Sequence, residues 1–325
     1  MSRYDEDAKY DRPKRRTRPR TKDRPTYDAA PIGFVVTRDR GRYTCVLNDG
    51  QVVTAMKARQ LGRKGVIVGD RVRLDGDASG DKDTLARIVE VEPRKTILRR
   101  SADDDDPVER PLVANAEQLV IVAAVANPEP RPRLIDRCLV AAFDAGMRPL
   151  ICLTKVDLAD PEELLSTYRP LGVEAVATRR DGDLSELIEQ LRDRTSVLVG
   201  HSGVGKSTLV NALVPEAHRA VGVVNDVTGR GRHTSTSTLV LQLPFGGWIV
   251  DTPGIRSFGL AHVDPQELIK AFGDLADETQ DCPRGCTHAD NEAACALDTA
   301  VAEGRVDAER VASYRRLLAS RETRD

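Results

Sequence analysis

Residues 200–208 carry the most specific chemical pattern in the chain, a glycine-rich stretch that ends in a lysine and two hydroxyl residues. They fit G-x-x-x-x-G-K-[ST], in which glycines let backbone N–H groups approach a phosphate. The lysine would reach the β- and γ-phosphates of a nucleotide, and the Ser207 hydroxyl would ligate Mg²⁺. Residues 196–199 predict a buried strand before this phosphate loop, and residues 209–213 predict a helix after it. The expected phosphate-binding residues are Gly200, His201, Ser202, Gly203, Val204, Gly205, Lys206, Ser207 and Thr208.

A second polar segment follows residues 149–153, whose apolar run predicts a buried parallel strand. Open α/β sheets bind ligands at the carboxyl ends of such strands. The segment consists of Thr154, Lys155, Val156 and Asp157. It resembles the [NT]KxD motif by which GTPases select guanine, although asparagine is more usual at the first position. The resemblance implies that Asp157 accepts two hydrogen bonds from the guanine base, while the stem of Lys155 packs along the base.

A third motif, Asp-Thr-Pro-Gly, occupies residues 251–254 and follows a predicted strand at residues 248–250. It resembles the DxxG motif of GTPases, which implies that Asp251 holds Mg²⁺ through water and that the Gly254 N–H contacts the γ-phosphate. The polar, glycine-rich residues 229–236 precede it and are a candidate switch loop, the alternative being a plain flexible loop. The expected Mg²⁺ ligands are Ser207, Thr234 and Asp251.

The group that positions the attacking water is not supplied by the residue after this motif. Many GTPases place a glutamine there, but Ile255 has no polar side-chain atom. His233 lies next to Thr234 in the candidate switch loop, and a neutral imidazole can hydrogen-bond water. We therefore expect His233 to be the catalytic residue. The alternative is that His233 is an exposed loop residue without this role.

Near the C-terminus, three cysteines and one histidine follow the spacing C-x₃-C-x-H-x₆-C. These residues are Cys282, Cys286, His288 and Cys295. They make up a full tetrahedral ligand set for Zn²⁺, and a set of four leaves no open position for catalysis. We expect one structural zinc ion per chain, which ties together a segment with little apolar core of its own.

Composition and length exclude several classes of protein. The chain has 325 residues, of which 40% are hydrophobic and 31% charged, as in soluble globular proteins. No apolar run approaches the ~20 residues that cross a bilayer, and the charged N-terminus lacks the apolar segment of a secretory signal. Six cysteines in this length do not form a disulfide framework, so we expect a cytoplasmic protein. Because the net charge is only −2, any affinity for nucleic acid must come from local basic patches.

The N-terminal third divides into a tail and a predicted barrel. Residues 1–30 are rich in lysine, arginine and proline and predict a disordered basic tail, which either solubilises the protein or lies on RNA phosphates. Residues 31–99 contain five short strand-like runs, which predict an all-β OB-fold barrel that binds RNA. The predicted strands are residues 32–37, 43–47, 51–56, 71–74 and 85–91. The alternative for this unit is a structural or protein-binding barrel.

The rest of the chain predicts two further units. Residues 99–111, with their run of aspartates, are expected to form a linker. In residues 111–262 apolar strands alternate with helices, which predicts a doubly wound parallel sheet. Residues 263–325 predict an α-helical zinc-binding domain. The segment at residues 154–157, here called the base motif, precedes the phosphate loop at residues 200–208, whereas ordinary GTPases have the opposite order. The central domain is therefore expected to be circularly permuted.

This order of a barrel, a permuted GTPase domain and a Cys/His segment resembles the RsgA (YjeQ) family. The matching stretches are residues 113–115, 154–157, 200–208, 231–234 and 251–258. The resemblance implies a ribosome-dependent GTPase that hydrolyses GTP to GDP and phosphate in late maturation of the small ribosomal subunit. It also implies that the protein releases or checks assembly factors, that it contacts the small subunit and its rRNA, and that it is a monomer.

Two other functions remain open on the sequence. One is an RNA-binding assembly scaffold whose nucleotide site is only a conformational switch. The other is an ATPase or nucleotide kinase, which the phosphate loop alone would permit. Asp157 argues against ATP, and the Asp-Thr-Pro-Gly motif argues against a kinase.

Overall fold

The computed structural model describes residues 26–62, 65–81, 83–101, 109–215, 238–252, 258, 260, 263–290, 292 and 294–321. Of the predicted basic tail, residues 26–30 are among them. The acidic residues 103–106 and the candidate switch loop at residues 229–236 lie outside the described residues. A barrel, an α/β sheet and a group of helices follow one another along the chain.

The first unit is a closed barrel of five strands. They are β1 (Ile32–Asp39), β2 (Arg42–Leu47), β3 (Val52–Lys57), β4 (Arg71–Asp75) and β5 (Ala86–Val91). Their order around the barrel is β1-β2-β3-β5-β4, with β3 and β5 parallel and the other pairs antiparallel. Apolar residues alternate along the strands; Val53 and Ala55 are buried in the barrel while Val52 and Met56 are exposed outside it. The predicted OB-fold is confirmed.

The expectation of a linker at residues 99–111 is wrong at both ends of this range, where the structure has strands. There β6 (Ile97–Ser101) pairs with β7 (Glu109–Ala114) in an antiparallel hairpin. Leu98 and Val113 face each other in this pair and are buried, so apolar packing outweighs the charged composition of the segment. The Ala114 N–H donates to Val68 O at 2.9 Å, and this bond joins the hairpin to the barrel.

A six-stranded sheet forms the second unit. Its strands are β8 (Gln118–Ala124), β9 (Arg148–Thr154), β10 (Glu174–Ala177), β11 (Thr195–Val199), β12 (Leu239–Gln242) and β13 (Trp248–Asp251). The order is β10-β9-β8-β11-β13-β12, and all pairs are parallel except the last. The antiparallel edge strand β12 is the strand of this sheet that the sequence pattern did not predict.

Helices cover both faces of this sheet. They are α1 (Pro132–Asp144), α2 (Glu162–Tyr168), α3 (Ser185–Leu191) and α4 (Lys206–Leu213). Ile121 packs in one apolar cluster with Leu139 of α1, whereas Val120 packs in another with Leu209 of α4. Neighbouring residues of β8 thus point to opposite faces, as in a doubly wound sheet. The predicted α/β fold is confirmed.

The C-terminal unit is helical and packs directly on the sheet unit. Its helices are α5 (Pro265–Leu268), α6 (Gly273–Asp277), α7 (Ala296–Ala302) and α8 (Ala308–Ser320). Phe272 links the two units, since its ring lies 4.9 Å from Phe143 of α1 and 5.4 Å from Tyr314 of α8. The apolar cluster on the α1 face of the sheet therefore continues into the C-terminal helices.

The barrel also contacts the sheet. The rings of Phe34 in β1 and Trp248 in β13 lie 5.2 Å apart, and β1 packs beside the edge strand β12. No helix in the part of the chain that the structure describes is long and apolar enough to cross a membrane.

Candidate nucleotide site and metal centre

The phosphate loop connects β11 to α4 at the edge where the parallel strands end. Gly205 has a φ of +97°, a left-handed conformation that residues with a Cβ rarely adopt. A Cβ on Gly200 would come within 2.3 Å of Val122 O, so glycine is required where the loop passes β8. Because α4 begins at Lys206, its free N–H groups and positive dipole end lie directly beside the loop. This arrangement can hold an anion.

Two residues of the base motif brace the phosphate loop. Thr154 ends β9 and is only 6% exposed. Its hydroxyl donates to Val204 O at 2.6 Å. Lys155, with a φ of +59°, donates from Nζ to Gly203 O at 2.9 Å and also bonds Asn127 O. The Thr154 hydroxyl, which the sequence placed among the nucleotide ligands, is therefore engaged inside the protein.

The bond from Thr154 also orients the peptide that follows Val204. A trans peptide holds its C=O and N–H on opposite sides. With Val204 O fixed toward Thr154, the Gly205 N–H must point away from it. Thr154 thus controls the direction of a backbone donor in the loop without needing to contact a ligand.

Asp157 lies three residues beyond the end of β9 and is exposed, so its carboxylate is accessible to a ligand. The end of the neighbouring strand β10 comes next to this segment, where the Val156 N–H donates to Thr178 O at 3.4 Å. The Thr178 hydroxyl in turn donates to Leu153 O at 2.9 Å. Sequence reasoning missed Thr178 as part of this edge, although its position after the β10 run was a usable signal.

Asp251 ends β13, next to the strand that carries the phosphate loop, and is paired in register with Leu198 of β11. One oxygen, Oδ1, is buried and has no hydrogen-bond partner among the described residues. Burial raises the pKa of this carboxyl, while the charge of Lys206 opposes the rise. A buried carboxylate oxygen without a partner beside a phosphate loop fits a Mg²⁺ ion or its water ligand. The other predicted residues of this region, His233, Thr234 and Gly254, lie outside the described residues.

The cysteine–histidine residues converge on one point, as their spacing predicts. Their ligand atoms all lie within 4.8 Å of one another. From His288 Nδ1, the sulfurs of Cys286, Cys282 and Cys295 lie at 3.5, 3.6 and 3.8 Å. A tetrahedral zinc ion, with Zn–S of about 2.3 Å and Zn–N of about 2.05 Å, holds sulfur and nitrogen about 3.6 Å apart. The four residues can hold a metal ion of this size.

The surroundings of the metal centre favour the ligating form of His288 and oppose that of Cys286 before metal binds. Burial lowers the pKa of His288, which keeps the imidazole neutral as a ligand must be. Burial raises the pKa of the Cys286 thiol to about 12, so binding of a metal must displace its proton. The first N–H of α7, from Ala296, donates to Cys282 Sγ at 3.3 Å and stabilises a thiolate there.

These features define the class of the protein. A phosphate loop after β11, a half-buried aspartate at the end of the adjacent β13 and a base motif that starts at the end of β9 meet at one edge of an α/β sheet, with the base motif first in the chain. This is the arrangement of a circularly permuted GTPase. The model of the family described as RsgA GTPase matches residues 91–261. The chain belongs to the RsgA GTPase family.

Curated relatives and solved structures agree with this assignment. The small ribosomal subunit biogenesis GTPase RsgA of Ectopseudomonas mendocina is 42% identical over 265 residues, which cover 78% of this chain and 75% of the relative. The protein of the same name from Pseudomonas fluorescens is 42% identical over 264 residues, with the same coverage of both chains. The crystal structure of YjeQ from Thermotoga maritima is 28% identical, with a TM-score of 0.68 over 91% of this chain and 99% of that one.

A further solved structure supports the fold alone. YloQ, described as a circularly permuted GTPase, is 24% identical and aligns with a TM-score of 0.66. The alignment covers 92% of this chain and 98% of YloQ. The similarity therefore extends over the barrel and the C-terminal helices as well as the GTPase sheet.

Proposed function

We propose that this GTPase acts in biogenesis of the small ribosomal subunit, where it hydrolyses GTP to GDP and phosphate late in maturation. Membership of the RsgA GTPase family and the names of its curated relatives support this role. The observation that carries the nucleotide part is the convergence of the ends of β9, β11 and β13 on one edge of the sheet. The release or checking of assembly factors is part of the same proposal.

At the nucleotide site, each residue has a role that follows from its position. Backbone N–H groups of the phosphate loop and the Lys206 ammonium bind the β- and γ-phosphates. Asp157 selects guanine through its exposed carboxylate, and the stem of Lys155 lies along the base. Thr154 acts through the loop that it braces. Mg²⁺, held by Ser207, Thr234 and Asp251, neutralises charge on the phosphates when it is bound.

For hydrolysis, water attacks the γ-phosphate in line with the bond to the leaving GDP. Ile255 has no group to orient that water, and we assign the role to His233. The Gly254 N–H contacts the γ-phosphate. Intrinsic hydrolysis is therefore slow in the free protein, and binding to the small subunit completes the site and stimulates turnover.

The metal that we propose for the Cys/His cluster is zinc, one ion per chain. Three thiolates and one imidazole are a ligand set that zinc favours, and the spacings of about 3.6 Å fit its tetrahedral geometry. Because all four positions belong to the protein, the ion is structural. It ties the loop between α6 and α7, which holds the first two cysteines and the histidine, to the start of α7.

Contact with rRNA is proposed for the barrel and for the basic tail of residues 1–30. On the outside of the barrel, Met56 is paired in register with Arg42 of β2 and Arg87 of β5, so two exposed arginines flank it in one row, and Arg87 also forms an exposed ion pair with Asp75. Such a row suits RNA phosphates and sugars better than reading of bases, because few aromatic side chains are available for stacking. We further propose that the protein is a cytoplasmic monomer.

GTP turnover measured with and without purified small ribosomal subunits tests this function. We expect turnover to rise by at least tenfold with small subunits and to stay unchanged with large subunits, since completion of a catalytic site by a partner is worth ~10³-fold or more in other GTPases. Equal turnover in both conditions, together with nucleotide-dependent binding to subunits, would instead favour an assembly scaffold with a conformational switch.

A further inference from the structure

Two consecutive residues of α8, Tyr314 and Arg315, bring polar side chains to the Cys/His cluster although neither is a metal ligand. The Arg315 side chain is only 10% exposed. Its Nε donates to His288 O at 3.1 Å, which fixes the backbone of a metal-ligating residue. Its Nη1 donates to Asp298 Oδ1 in α7 at 2.7 Å, and Asp290 Oδ1 lies 3.5 Å from Nε. The guanidinium is thus held between α8, α7 and the metal-binding loop, which is the segment between α6 and α7 that carries His288.

Each of these two side chains also carries a buried polar atom with no hydrogen-bond partner in the described ranges. These atoms are Arg315 Nη2 and the Tyr314 hydroxyl oxygen. Buried donors are nearly always satisfied in folded proteins, so an acceptor is expected close by. Asp298 and, to a lesser degree, Cys295 raise the pKa of Arg315. Burial raises the pKa of Tyr314, and Cys295 and Cys286 raise it further. The charges of the cluster sulfurs therefore act on both side chains, and the bond from Arg315 to His288 O places its guanidinium beside the cluster.

The charge of a filled metal centre explains why donors are needed there. Three thiolates, one neutral imidazole and a divalent ion have a net charge of −1. Cys286, His288 and Cys295 are each at most 3% exposed, so water cannot compensate this charge. An arginine is always protonated, so Arg315 supplies a buried positive charge beside the cluster, whereas the carboxylates of Asp298 and Asp290 that share it are solvent-exposed.

We propose that Tyr314 and Arg315 form an outer shell of the metal centre, in which both donate to the cluster thiolates and Arg315 neutralises their excess charge. The inference rests on the proposed zinc site and extends it to a helix outside the cysteine–histidine motif. Since α8 also packs on α1, metal affinity becomes linked to docking of the last helix on the GTPase sheet. Tyr314 and Arg315 are positioning residues, because they act on the ion through its ligands.

Zinc affinity, measured by competition with a chromophoric chelator, tests the proposal. We expect Arg315→Gln to bind zinc about 10- to 100-fold more weakly, the range seen when partners of metal ligands are removed. Tyr314→Phe removes one neutral donor and should weaken binding by a smaller factor, and Arg315→Lys should restore part of the loss because it keeps the charge.

Matched controls separate the metal centre from general stability. Arg310→Gln removes the same charge from the same helix, but Arg310 bonds Asp274 and Pro170 O rather than the cluster. Tyr168→Phe removes a hydroxyl that donates to Pro132 O, far along the chain from the cysteines. Both controls touch the docking of α8 without reaching the cluster, so they should weaken zinc binding far less than Arg315→Gln does.

The absorption spectrum of the protein with cobalt(II) in place of zinc gives a second measurement. A loss of stability alone does not shift this spectrum. Removing a positive charge beside a thiolate raises the energy of its lone pairs, so the sulfur-to-cobalt absorption band of Arg315→Gln should move to longer wavelength. Should Arg315→Gln not fold, Arg315→Lys and Tyr314→Phe carry the same comparison. If the unmodified protein binds zinc and all variants match it in affinity and spectrum, this inference is overturned while the zinc site stands. If the unmodified protein binds no metal, both proposals fail.

Discussion

The hydrogen bond from the Thr154 hydroxyl to Val204 O in the phosphate loop leads to a specific prediction for Thr154→Val. Valine has nearly the same shape and is also β-branched, so the substitution removes the hydroxyl and little else. The lost bond is 2.6 Å long and buried, and its loss leaves the carbonyl of Val204, a residue that is only 4% exposed, without this donor. Loss of one partner of a buried hydrogen bond costs about 1–3 kcal/mol.

The effect on GTP affinity follows from that energy. Each ~1.4 kcal/mol of binding free energy is a tenfold change in Kd. Lys155 still holds Gly203 O in the variant, so we take the low end of the range. We expect Thr154→Val to bind GTP about five- to tenfold more weakly because the loop must be ordered on binding.

Titrations with fluorescent GTP and fluorescent ITP measure both the nucleotide affinity and the selectivity for the base. Because the hydroxyl faces the loop rather than a ligand, both nucleotides should weaken by the same factor. Thr154→Ser retains a hydroxyl and should stay close to the unmodified protein. Unchanged affinity of Thr154→Val would refute the brace, and a loss confined to GTP would show that Thr154 reads the base.

Four further predictions concern base, metal, catalysis and RNA. Asp157→Asn should weaken GTP binding about 10- to 100-fold, because bonds to a charged acceptor are worth ~1.5–3 kcal/mol, and it should improve XTP binding; equal GTP affinity would exclude the role. Elemental analysis should find one zinc ion per chain in the unmodified protein and none in Cys286→Ala, while GTP binding persists in this variant. His233→Ala should abolish most of the stimulation by small subunits at unchanged GTP affinity, and full stimulation would point to a ribosomal group. Deleting residues 1–30 should weaken subunit binding and flatten its salt dependence, and unchanged binding at low salt would leave only a solubilising role.

Local patterns in the sequence were sufficient for most of the fold. The barrel strands alternate apolar and polar residues, and each predicted strand lies within two residues of an observed one at both ends. The continuous apolar run of β8 (Gln118–Ala124) predicted a strand covered on both faces, which it is. The glycine spacing of the phosphate loop and the cysteine–histidine spacing are equally local, since each places its groups through a short stretch of backbone.

Pairings between distant segments could not be read in this way. The strands β6 (Ile97–Ser101) and β7 (Glu109–Ala114) pair although the sequence between them is acidic, and composition alone predicted a linker. The strand β12 (Leu239–Gln242) is short, and its stability comes from pairing with β13 and from packing beside the barrel strand β1. Both elements depend on tertiary contacts that outweigh weak local preferences.

The sequence by itself identified the candidate residues for binding a phosphate, a base and a metal. The tertiary structure decided what several of them do. Thr154 and Val204 are 50 residues apart, and only the parallel sheet brings the hydroxyl of one to the carbonyl of the other. Arg315 reaches His288 across 27 residues because α8 packs over the metal-binding loop. A motif fixes the chemistry of its own side chains, whereas hydrogen bonds and charges supplied by distant elements depend on the folded chain as a whole.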